Sequence, residues 1–127
     1  SFRECARRYL GEHESAWSRK HVTQWRSSIE RLAVPHIGEL AVGALDTSDV
    51  LRVLQPIWQT TNETARRLRE RIERVLDFAT THGWRSGDKP NPARWKGHLE
   101  HTLAGRPKGS RNKINELFLR DLQALWE

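Results

Sequence analysis

Apolar side chains recur along most of this chain at intervals of three and four residues, while the two-residue alternation of a half-buried strand is scarce, so the pattern predicts an all-α fold. The opening segment SFRECARRYLGEHE places Phe2, Ala6, Tyr9 and Leu10 on one helical face, with Gly11 loosening its end. SRKHVTQWRSSIERLAV carries Val22, Trp25, Ile29 and Leu32 at i, i+3, i+7 and i+10, a core-facing stripe with Ser18 as N-cap and Pro35 as stop. A turn-rich stretch, PHIGELAVGALDTSD, leads to Thr47 as the cap of SDVLRVL, and Pro56 is expected to break or kink the helix at that point. The strongest pattern is NETARRLRERIERVLDFATTHGW, residues 62–84, where Ala65, Leu68, Ile72, Val75, Leu76 and Ala79 line one face. Thr61 or Asn62 caps its start and Gly83 marks its end. After Trp84, RSGDKPNPARWKG reads as a loop holding one short helical turn. Trp25, Leu54, Leu68, Ile72 and Leu76 are the expected centre of one small core.

Length and composition narrow the picture. With 127 residues, 36% hydrophobic and 30% charged, the chain holds about one domain with a modest core. No apolar run approaches the roughly 20 residues of a membrane span and no signal-peptide pattern opens the chain, so a cytoplasmic location and no membrane partner are expected. The single cysteine, Cys5, has no partner for a disulfide or a metal-thiolate site, and a packed thiol is its expected state. Lys and Arg outnumber Asp and Glu by 22 to 16, which favours a polyanionic partner. There is no Met, which reads as a piece excised or processed from something longer.

Five of the first thirteen positions of the 62–84 helix are arginine. At 100° per residue, Arg67, Arg71 and Arg74 fall on the side away from the apolar stripe, with Glu70 and Glu73 nearby. A solvated face laced with pairs such as Glu70 to Arg74 is one reading. The other is an anion-binding surface: the helix begins after Thr61, Asn62 and Thr64, where unpaired N–H groups meet short polar side chains, although Glu63 opposes an anion there. The second helix opens with Arg19, Lys20 and His21, followed by Gln24 a turn later, as a second basic surface. Two basic faces suggest a groove for nucleic acid.

These residues sit inside a wider likeness. Residues 1–103 closely resemble the core-binding, SAM-like domain of phage-type tyrosine recombinases, the integrases. The resemblance is carried by the Trp25 helix, the P-x-I-G-x-L-x-V turn at 35–42, DVLRVLQPIW at 49–58, TARRLRERIERVLDFA and NPARW at 91–95. It implies a small orthogonal bundle of four to five helices that lies across one side of duplex DNA, while a separate catalytic domain closes a clamp from the other side. It also implies double-stranded DNA as partner, with other recombinase subunits as further partners.

The chemistry of that family's catalytic half does not appear here. Those enzymes attack phosphorus with a tyrosine and stabilise the developing charge with arginines and a His-x-x-Arg box. The only tyrosine, Tyr9, lies on an apolar helical face and reads as core, and His82 to Arg85, HGWR, falls at a helix-ending turn and reads as coincidence. His13, His21, His36, His98 and His101 show no zinc spacing accompanied by cysteines, so no metal and no cofactor are expected. Trp25 and Trp58 fall on core stripes, while Trp84 and Trp95 are expected to pin the loop after the long helix.

The tail departs from the integrase pattern. GRPKGSRNKINELFLRDLQALWE resembles the opening of a short bacterial family of unknown function, and the gene reads as truncated or rearranged at about residue 104. Gly105, Arg106 and Pro107, with Lys108, Arg111 and Lys113, are similar to an AT-hook, which enters the minor groove of A·T-rich DNA; a flexible basic linker over 104–113 is the plainer reading. Residues 114–127 form an amphipathic pattern, with Ile114, Leu117, Phe118, Asp121, Leu122 and Leu125 on one side beside Trp126. The expected function is duplex DNA binding by the non-catalytic half of a recombinase clamp, through Arg19, Lys20, His21, Gln24, Thr61, Asn62, Thr64, Arg67, Arg71, Arg74, Arg106 and Lys108. The alternative is a protein-interaction or assembly module of a recombinase, or a degenerate phage-derived regulator.

Overall fold

The structure, a computed structural model, describes residues 1–103. The expected basic linker and terminal amphipathic helix, and with them Arg106 and Lys108, lie outside the described residues. Helix α1 is Phe2–His13, α2 Arg19–Ser28, α3 Val34–Ile37, α4 Thr47–Trp58, α5 Asn62–Thr81 and α6 Glu100–Thr102. Among the described residues there is no strand, and no helix is long and apolar enough to cross a membrane. α1, α2, α4 and α5 supply most of the core, which makes the domain the small all-α bundle that the periodicity predicts.

The predicted stripes meet in that core. Trp25, Leu54, Leu68, Ile72 and Leu76 are all buried, as are Phe2, Ile37, Val50 and Leu99. Val22 and Leu32, at the edges of the α2 stripe, are only partly buried and pack against the core's rim. Cys5 is buried, and burial pushes its thiol up to about 11, the state of a packed, unreactive sulfur.

Gly11 lies in the last turn of α1, which runs two residues further to His13. Three local expectations change. Pro35 does not stop the second helix: the helical path continues through a π-turn at Ile29–Ala33 into α3. There the Val34 N–H bonds back to the Ile29 carbonyl, five residues away, so the ladder has already shifted where Pro35 lacks a donor. α4 is capped by Asp46 instead of Thr47: its carboxylate accepts from the Asp49 N–H at 3.1 Å while Asp49 accepts from the Asp46 N–H at 3.0 Å. Pro56 sits inside α4, which ends two residues later at Trp58.

The glycine in the P-x-I-G-x-L-x-V turn has a steric reason. A Cβ on Gly38 would lie 2.6 Å from Val34 Cγ1 and 2.7 Å from its carbonyl oxygen. That tight turn presents the carbonyls of Gly38 and Leu40 to the first N–H groups of α1, from Arg3 at 3.0 Å and Phe2 at 2.9 Å. The start of α1 is thereby docked on the turn, satisfying donors with no partner inside their own helix.

Candidate nucleic-acid interface

The corner between α4 and α5 decides what the start of α5 can bind. The C-terminal carbonyls of α4 need donors. Thr61 supplies two to Ile57, its N–H at 3.0 Å and its hydroxyl at 3.3 Å, and the Asn62 amide donates to the Trp58 carbonyl at 2.9 Å. Asn62 is 2% exposed, so it is not a surface ligand for phosphate as expected from the sequence: it is a buried link between two helices. Thr61, although exposed, has its hydroxyl committed to the same corner and makes no side-chain cap on α5. Thr64 remains exposed and lines a groove with Gln24, Ser28, Arg67 and Arg71.

The two basic surfaces form a single face. Arg71 reaches from α5 to α2, donating to the Ser28 hydroxyl at 2.7 Å and to the Gln24 carbonyl at 3.5 Å. Its guanidinium is therefore half-buried between helices, not on the open side that a helical wheel of α5 suggests. Burial lowers its pKa and the neighbouring Arg67 lowers it further, while Glu70 acts in the opposite direction. No carboxylate pairs with Arg71 among the described residues. Arg67 and Arg71 are shared by two grooves: one of about 330 Å³ toward Trp17, His21 and Arg74, the other of about 370 Å³ toward Thr23, Ser27 and Arg31.

The other expected residues distribute around this bridge. Ser18 caps α2 by accepting from the His21 N–H at 3.1 Å, and the His21 ring stands edge-on to Trp17 at 4.4 Å. Arg19 and Lys20 are exposed at the start of α2, and Arg74 is exposed on α5, each without an ion-pair partner among the described residues. Glu70 and Arg74 do not form the expected pair; Arg67 instead pairs with Glu63 at 3.4 Å between two well-exposed side chains. Ser28 and Arg31 join the face without being expected there. Ser28 is a polar residue on a predicted helix with no pattern to mark it, whereas Arg31, one further turn along the basic side of α2, is open to the same wheel argument as Arg67.

Cations elsewhere have structural work. Arg85 is 4% exposed and donates to the carbonyls of Val42 at 3.0 Å, Leu45 at 2.9 Å and Pro90 at 3.1 Å, tying two loops together. The arginine of the HGWR box is thus committed inside the fold. Arg69 joins Glu73 at 2.7 Å and the Ala93 carbonyl at 2.8 Å, and Asn91 donates to the Glu73 carbonyl at 2.8 Å and to Asp77 at 2.9 Å. Arg94 bonds the Glu73 and Asp77 carboxylates, which raise its pKa, and Trp95 stacks on Trp58 at 5.5 Å. NPARW is therefore a latch that closes the chain over α5. Tyr9 is 7% exposed, stacked between His13 at 4.2 Å and Trp25 at 5.4 Å, in the core position expected of it.

Fold and face together define a class: an all-α domain with two grooves along a basic seam between two helices. Residues 2–98 match the family described as the phage integrase central domain, and the chain belongs to that family. Prophage integrase IntZ of Escherichia coli is 32% identical over 78 residues, which are 61% of this chain and 19% of that protein; the chain thus spans about a fifth of the curated relative it matches. A protein of Nitrosospira multiformis solved by solution NMR is 50% identical with a TM-score of 0.70, covering 80% of this chain and 94% of that one.

Proposed function

We propose that this domain is the DNA-holding, non-catalytic part of a site-specific tyrosine recombinase, and that its α2/α5 seam lies on the phosphate backbone of duplex DNA. The observation that carries the reading is Arg71. A half-buried guanidinium without a carboxylate partner is costly unless an anion arrives, and its crowding by Arg67 is relieved by the same anion. Ser28 and the Gln24 carbonyl hold one Arg71 amino group, which leaves its other donors for phosphate oxygens. Arg67 and Arg74 extend the positive strip along α5, with Thr64, Gln24 and His21 as polar contacts beside them, and the exposed Arg19 and Lys20 add charge from the start of α2 in this reading. Thr61 and Asn62 drop out of the contact set, and Arg31 joins it. Contacts of this kind position a protein on DNA and read little sequence. Recombination itself, and association with other recombinase subunits, would belong to the assembly in which this domain works, as the name of the integrase relative suggests.

The test is a titration of the isotopically labelled chain with a mixed-sequence duplex, followed amide by amide. Shifts concentrated at Gln24, Ser28, Thr64, Arg67, Arg71 and Arg74 are the expected result. Shifts confined to the outer side of α1 or to the NPARW latch would place the interface elsewhere.

A further inference from the structure

The groove of about 330 Å³ on the α2/α5 seam holds more than a strip of phosphates needs. Beside its arginines it is lined by four rings, those of Tyr9, Trp17, His21 and Trp25. Phosphates make no use of a ring wall. Trp17, in the turn between α1 and α2, is half-buried, and its neighbours Tyr9, His13, His21 and Trp25 all meet it tilted or edge-on. No ring among the described residues is stacked on its face.

Two polar groups in the same groove are also unspent. Tyr9 is 7% exposed, and its hydroxyl makes no hydrogen bond among the described residues, a costly state for a group so nearly buried. Glu70 makes neither a hydrogen bond nor an ion pair there, although Arg71 feels its charge. A carboxylate repels a phosphate, so Glu70 opposes a groove filled by DNA backbone alone. Arg71 and Arg74, by contrast, are cations with no carboxylate bonded to them among the described residues. One ligand class uses the rings, the unspent polar groups and the free cations together. A nucleotide whose base has left its pair offers a flat face for stacking, and its Watson–Crick edge carries N–H donors that a paired base spends on its partner. Its phosphate belongs to the same unit.

We propose that this groove holds one unpaired nucleotide of a DNA strand, with its base against Trp17, its edge bonded to the Tyr9 hydroxyl and Glu70, and its phosphate on Arg71 and Arg74. This rests on the reading of the α2/α5 seam as a DNA surface and adds a base site to it. Stacking of this kind tolerates any base, so the site distinguishes locally unpaired DNA from a continuous duplex and does not read sequence.

The test measures fluorescence anisotropy of three labelled duplexes titrated with the full chain: one fully paired, one with a single extra guanine nucleotide bulged from one strand, and one with the same bulge lacking its base. The last keeps the bend and the extra phosphate, so comparison with it isolates the base. The expected result is tighter binding of the guanine bulge than of the baseless bulge by about tenfold. Trp17→Ala should remove that gain and leave paired-duplex affinity in place. Tyr9→Phe keeps the packed ring and should cut the gain by about fivefold, and it decides the matter if the helical signal shows Trp17→Ala unfolded. Equal affinity for the two bulges, or a gain that survives the folded variants, would overturn the proposal while paired-duplex binding, and with it the reading of the seam, stands. Absence of binding to all three duplexes would sink that reading and the proposal together. A shift of the Trp17 indole N–H with free deoxyguanosine monophosphate, without any base-dependent gain on DNA, would overturn the proposal in favour of a free nucleotide.

Discussion

Arg71 of α5 donates to the hydroxyl of Ser28 on α2 at 2.7 Å, and this bond, with a longer one to the Gln24 carbonyl at 3.5 Å, ties the two basic helices into one face. Ser28 is itself anchored, donating to the Trp25 carbonyl at 2.9 Å. Ser28→Ala removes the bond without changing net charge. The expected outcome is a folded domain whose DNA affinity falls by about fivefold, the equivalent of roughly 1 kcal/mol for one lost hydrogen bond, with an unaltered salt slope. Unchanged affinity in a fluorescence-anisotropy titration would mean that Arg71 needs no positioning.

The latch over α5 is a stability element. Asn91→Ala leaves the buried Ala93 N–H, now bonded at 2.9 Å, and the Glu73 carbonyl without their partner. Urea unfolding should show a loss of roughly 1–3 kcal/mol with the same m-value. DNA affinity of the folded fraction should stay near that of the parent chain, because the seam is untouched.

The buried Cys5 thiol makes an alkaline prediction. Its folded pKa of about 11 lies above the ordinary 9.0, so the native state holds this proton more tightly than the unfolded chain does. That contribution is fully present below pH 9 and is lost as the pH rises from about 9 toward about 11. Over that window the parent chain should lose stability faster than Cys5→Ala in parallel denaturation series. Identical pH profiles would show that Cys5 does not report the difference between the two states.

Tyr9 is 7% exposed and lines the groove of about 330 Å³ together with Arg67, Arg71 and Arg74. Its ring is packed among His13, Trp25 and Phe78, and its position serves the core. The chain alone should leave supercoiled plasmid intact under conditions where it binds. Nicking that vanishes in Tyr9→Phe would contradict this account.

Much of the fold is legible because each main helix buries one stripe, and a 3.6-residue period survives in the sequence wherever one face alone is buried. The same logic marks Arg67, Arg71 and Arg74 as a set. It fails for Arg71 in detail, since the wheel of α5 contains no information about where α2 packs. Asn62 and Arg85 mislead in a related way. A polar or charged residue suggests surface, yet both point inward to satisfy carbonyls at a helix corner and at two loops. The path through Pro35 is hidden because a π-turn shifts the ladder without requiring a distinctive residue. Asp46, Thr47 and Ser48 are all cap-forming types, and only the reciprocal bond with Asp49 selects Asp46.

The central claim is that the α2/α5 cations hold DNA phosphates, and a salt series tests it most directly. Arg71 is held by α2, so the informative variant changes its exposed neighbours, Arg67→Gln with Arg74→Gln, while helical content is followed in parallel. If the parent domain neutralises about four phosphates, log K should fall against log salt with a slope of roughly −3.6, and binding near physiological salt should be about micromolar or weaker. The double variant should bind more weakly at low salt, with a slope shallower by roughly 1.8. A folded double variant with the parent's affinity and the parent's slope would contradict the account.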